Sequence, residues 1–123
     1  MVNWNKVRTI IEKCWDNQTA YPKSLKSGST CRSRGQCYVT ALLVEVMFGG
    51  EIIHGKIDGE SCYWNRVGNS EVDLTSDQYG GDGFHPVTRG QKTTLLNFNN
   101  KRFTLLFTRW LIQIAQIDIN ELY

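Results

Sequence analysis

The sequence predicts an α+β fold, and three observations carry that prediction. An apolar run of helical length, "QCYVTALLVEVMF", ends on a Gly49-Gly50 stop. Three short β-like runs follow it, divided by turn dipeptides. Amphipathic helical patterns stand at both ends of the chain. At 123 residues there is room for one core, so residues 1–123 are expected to form a single domain.

Taken in order, Trp4, Val7, Ile10, Ile11, Cys14 and Trp15 recur at helical spacing and predict a first helix over residues 4–15. "DNQTAYPKSLKSGST" then breaks all periodicity and reads as a loop that runs to Gly35. Residues 36–48 are apolar on nearly every side, so this helix is expected to be buried. "EIIHGKI" at 51–57, "SCYWNRV" at 61–67 and "SEVDLT" at 70–75 read as strands. Asp58-Gly59 and Gly68-Asn69 are hairpin dipeptides, so the three runs predict an antiparallel meander. "SDQYGGDGFHPVTRGQKTT" reads as loop, and "NKRFTLLFTRWLIQIAQI" predicts a closing helix that starts near Asn100.

Composition excludes several functions. Hydrophobic residues make up 41% and charged residues 21% of the chain, with no apolar run near the roughly 20 residues of a membrane helix. The N-terminus has no secretory pattern, which predicts a cytoplasmic protein without a membrane partner. A net charge of +2 argues against nucleic acid, although Lys23, Lys26, Arg32 and Arg34 form an acid-free basic loop suited to an anion or to solvent. The four cysteines lack the paired spacing of a zinc site and are expected to be reduced thiols.

Among them Cys37 stands out by position. It follows Gly35 and opens a helix, where unpaired N–H groups and the helix dipole favour a thiolate and can hold an oxyanion. Gln36 beside it is a further donor for a ligand. Asp73 stands between Val72 and Leu74, and an acid in that setting needs a partner, supplied by Arg32, Arg34 or backbone N–H groups. Along the second strand Cys62 and Trp64 share one face, while Tyr63 and Asn65 share the other.

"SRGQC", "TALLVEVMFGGEI", "YWNRV", "EVDLT" and "DQY", with "CWDNQTAYP" upstream, resemble in order the motifs of the YunG-like family of small bacterial proteins. The resemblance covers nearly the whole chain. It implies a papain/transglutaminase-like arrangement of Cys, His and Asp on a helix, a strand and the next strand. Carried over residue by residue, the family's cysteine falls on Cys37 and its aspartate on Asp73, but its histidine, just before Tyr-Trp-Asn, falls on Cys62. The imidazole that would take the thiol proton is therefore missing. Of the two histidines, His85 on the glycine-rich loop is the better substitute, and His54 in the first strand lies outside the family's pattern.

Two functions follow as expectations. The first is a non-catalytic relative of a papain-like thiol enzyme, binding a ligand or protein through the old cleft or the basic loop, with Arg32, Arg34, Gln36, Trp64 and Asn65 as contacts. The second is a cysteine-dependent hydrolase or acyltransferase in which Cys37, Cys62, Asp73 and His85 form the site. Those four side chains also match a zinc donor set, but their spacing is no known signature, so no metal or cofactor is expected. A reversible Cys37–Cys62 disulfide is a further reading.

Overall fold

The Asn3 side chain accepts a hydrogen bond from the Lys6 N–H at 3.1 Å and so starts helix α1 (Trp4–Glu12). This computed structural model describes residues 1–22, 35–57, 60–75, 91–93 and 100–123. Helix α1 closes at Glu12 rather than at Trp15, because the Lys13 and Cys14 N–H groups turn back onto the Ile10 and Ile11 carbonyls. Cys14 and Trp15 remain in the core beyond that turn, and Trp15 Nε1 donates to Thr40 Oγ1 at 3.0 Å.

Helix α2 (Cys37–Phe48) is buried from Val39 to Val44, as its all-round apolarity predicts. Val39 and Leu43 join Val7, Ile11, Leu106 and Trp110 in the main core, while Ala41 and Leu42 pack with Ile52. Burying a side chain of this size stabilises the fold by roughly 1.5–3 kcal/mol, so α2 acts as the shared spine of both clusters.

Strands β1 (Glu51–Ile57), β2 (Glu60–Val67) and β3 (Ser70–Val72) form the expected antiparallel meander, with Ile53 opposite Trp64 and Asn65 opposite Val72. Two corrections apply. The third strand ends at Val72 and not at Thr75, because the Asp73 carboxylate accepts from the Thr75 N–H and hydroxyl, both at 3.0 Å, and folds the chain into a turn. A fourth strand, β4 (Gln91–Thr93), falls in sequence read as loop and pairs with β1, giving the order β3-β2-β1-β4. Three residues carry too little alternation to announce a strand.

Helix α3 (Lys101–Ile114) starts as predicted: Asn100 caps it by accepting from the Phe103 N–H at 3.1 Å. It ends three residues before its apolar pattern does. A 3₁₀ turn (Ile119–Leu122) follows, set by a capping box between Asp118 and Glu121. It buries Leu122, whose carbonyl accepts the Asn3 N–H at 2.7 Å and ties the two ends of the chain together. Among the described residues, no helix is long and apolar enough to cross a membrane.

Candidate functional site

The start of α2 is held from behind. Gly35 adopts φ +76°, a left-handed conformation that glycine takes without steric cost, and its carbonyl accepts the Tyr21 N–H at 2.9 Å. Gln36 occupies the N-cap, yet its side chain does not cap the helix. It turns away into the core, where Oε1 accepts from Thr19 Oγ1 at 2.8 Å and Nε2 donates to the Asp16 carbonyl at 3.0 Å. Arg109 on α3 holds the same loop through the Cys14 carbonyl, Gln18 Oε1 and an ion pair with Asp16 at 3.0 Å. Loop 14–19 is thus clamped between α3 and Gln36, and this clamp fixes where Cys37 begins its helix.

The two faces of β2 meet different neighbours. On one face, Asn65 Nδ2 donates to the Ala41 carbonyl at 3.0 Å, and Tyr63 meets the Tyr38 ring edge to face at 5.3 Å. His54, paired across the sheet with Tyr63, stacks on it at 4.8 Å. Cys62 and Trp64 alternate onto the other face and cluster with Ile53, all three buried. Cys37, half-buried in the first turn of α2, packs against that cluster. Cys37 and Cys62 are both thiols here, not disulfide partners.

Electrostatics separate the titratable groups. Burial, followed by the proximity of Cys37 and of Tyr38, pushes the Tyr63 hydroxyl above the usual phenol range. It stays protonated near neutrality, a hydrogen-bond donor rather than a base. Burial likewise raises the Cys14 thiol, against the smaller opposite pull of Arg109 and Lys13. Cys14 Sγ lies 3.5 Å from the Ile10 carbonyl, as expected of an inert core thiol.

This geometry can be set beside known sequences. The family described as YunG protein matches residues 3–114, more than nine-tenths of the chain. The chain belongs to the YunG family. It is 26% identical over 114 residues to the "Uncharacterized protein YunG" of Bacillus subtilis (strain 168), a match that covers 89% of this chain and 96% of the relative. No solved structure matches it.

Within the YunG family framework, the structure brings Cys37 together with the cluster that holds Cys62 and Trp64. Asp73 stands one residue beyond β3, half-buried, with Oδ1 taken up by Thr75; of the partners anticipated for it, the backbone N–H is present. Gln36 and Asn65 are committed to the fold through Thr19, Asp16 and Ala41, not turned toward a ligand. Trp64 is buried and donates through Nε1 to Glu71 Oε2 at 2.5 Å, which makes it core rather than contact surface. Arg32, Arg34 and His85 lie outside the described residues. Among the described residues, no three His, Cys, Asp or Glu side chains group as a metal site requires.

Sequence reasoning missed the ring of aromatics beside Cys37. Tyr38, Tyr63 and His54 are far apart in sequence and share no motif, so only strand register and helix packing join them. Tyr38 does follow Cys37 directly, and a helix-start tyrosine next to a candidate nucleophile was the one local signal.

Proposed function

We propose that this YunG-family protein is a non-catalytic relative of papain-like thiol enzymes and binds a ligand or protein partner at the start of α2, around Cys37. The observation that carries this reading is Cys62, which has 0% exposure at the position of the family's histidine and lies in the cluster against which Cys37 packs. A thiol with an ordinary pKa near 8.5 neither draws the proton from Cys37 nor returns one to a leaving group at neutral pH. Tyr63, the nearby phenol, is held protonated and does not supply the base. What remains is a half-buried thiol at a helix start, flanked by Tyr38 and Tyr63, which suits recognition better than turnover.

The test is the pH dependence of Cys37 alkylation by iodoacetamide, with Cys14 and Cys31 replaced by serine. Reaction that rises only above about pH 8, as for an ordinary thiol, supports the binding reading. Rapid reaction below pH 7 reveals an activated thiol and supports a cysteine hydrolase or acyltransferase instead.

A further inference from the structure

Helix α3 has two unlike faces. Leu106 and Trp110 are buried in the main core, with Phe103, Phe107 and Ile114 packed against it. On the opposite side Lys101, Leu105, Thr108, Ile112 and Ala115 follow one another at alternating steps of four and three residues, the spacing of a two-helix seam. Leu105 is half-buried and the other four are exposed, Ile112 at 56%, with Leu111 at the flank 44% exposed.

A lone exposed leucine needs no explanation, but a helix that only meets water carries charges on its outer side. This row carries none after Lys101. Arg109, the one later ion of α3, turns instead to Asp16 and to the loop after α1. The row therefore has the composition of a contact surface.

Its ends indicate the occupant. Lys101 opens the row, and the exposed Asp118 stands just past its far end. When an identical row is laid on it antiparallel, the Lys101 end of each copy meets the Asp118 end of the other, and the two helix dipoles oppose. In the same register Leu105 meets the second copy's Ala115 and Ile112 meets its Thr108, so each large side chain faces a smaller one. A parallel pair would set lysine against lysine.

We infer that α3 is a self-association surface, on which two copies of this chain pair antiparallel about a two-fold axis through Leu105, Thr108, Ile112 and Ala115. The inference goes beyond the binding reading of the Cys37 site and does not depend on it. The row spans about 20 Å of helix, which buries less than a standard interface and makes the dimer weak and exchanging.

Sedimentation velocity of the full chain, with reductant present to exclude intermolecular disulfides, tests it from about 5 µM to about 1 mM, the range where a weak dimer declares itself. The wild type is expected to shift from one copy toward two as its concentration rises. Ile112→Lys, at an exposed position, should weaken association at least about tenfold with an unchanged melting temperature. If that variant fails to fold, Thr108→Glu serves in its place. Lys101→Glu should weaken the dimer about threefold, because it turns an attraction at each end into a repulsion. A wild type that stays as one copy at every concentration overturns the inference, also where the face takes up a different protein. A dimer that survives Ile112→Lys and Thr108→Glu lies elsewhere on the molecule and overturns it too. Loss of the dimer in Ile112→Lys with no weakening in Lys101→Glu overturns the antiparallel register.

Discussion

Thr19 Oγ1 donates to Gln36 Oε1 at 2.8 Å, and both residues are essentially buried, at 0% and 1% exposure. A residue at the head of the cysteine helix is thereby fastened to the loop after α1. The same Gln36 amide donates to the Asp16 carbonyl, so removing the side chain takes two buried hydrogen bonds at once, although the Asp16 carbonyl keeps the Thr19 and Ala20 N–H groups.

Gln36→Ala should accordingly cost about 2–4 kcal/mol in urea unfolding, from two lost buried hydrogen bonds and the volume left behind. Gln36→Glu should do no better, because an acceptor would replace the donor that faces the Asp16 carbonyl. A loss under about 0.5 kcal/mol, the range of an ordinary surface change, would show that the latch is not what positions Cys37.

The two glycines that end α2 should behave differently. Both have positive φ, +77° at Gly49 and +82° at Gly50. At Gly49 an added Cβ meets open space, so Gly49→Ala should cost about 1 kcal/mol from the left-handed backbone alone. At Gly50 the same atom collides with the Arg66 carbonyl oxygen on β2, a backbone group that cannot swing aside. Gly50→Ala should cost clearly more, about 2–4 kcal/mol, through strain and disturbed pairing at the β1–β2 end. Equal melting temperatures for the two variants would contradict this.

Asp16 and Arg109 give a pH signature. The Arg109 hydrogen bond, above all other causes, holds the Asp16 carboxyl below the usual carboxylate range. A carboxyl depressed in the folded state stabilises the fold above its unfolded value, near 3.9, and that contribution is lost as pH falls through the lower folded value. The Asp16 side chain is 46% exposed, so solvent screening keeps the effect within roughly 1 kcal/mol. Asp16→Asn retains an Oδ1 that accepts the Gln18 N–H and removes only the charge. It should be slightly less stable than wild type at pH 7, and the two should converge as the solution is acidified below that window. A gap of constant size at every pH would trace the loss to packing instead.

The meander and the buried helix were legible because each is written in local chemistry: turn dipeptides at both hairpins, and apolarity all around residues 37–48. Asp73 misled the reading of its strand, since an aspartate between Val72 and Leu74 fits an alternating pattern until its side chain captures the Thr75 N–H. The 3₁₀ turn was legible in principle through Asp118 and Glu121, but four residues are too few to stand out. At the site, the pairing of Cys37 with the Cys62 cluster came from motif order.

Cys62→His is the substitution that asks whether catalysis was lost at one position. The cross-strand partner of Cys62 is Gly55, which sets no side chain beside it, so the site has no large neighbour across the strand pair to displace. An imidazole there would stand in the cluster against which Cys37 packs, and the resemblance to the family's order puts Asp73 in the place that would fix its tautomer. It should hold the Cys37 thiolate as an ion pair and lower the pH of half-maximal alkylation by about 2 to 4 pH units. Thiolate absorbance and iodoacetamide reactivity against pH, in a background with Cys14 and Cys31 replaced by serine, measure it, and a thermal melt checks that the variant is folded. Adding Asp73→Asn should return part of the shift. If Cys62→His titrates like the wild type while remaining folded, position 62 does not face the thiol and the mapping of the family's histidine onto it is wrong; if the wild type already reacts below pH 6, a base other than residue 62 is present and the non-catalytic reading falls.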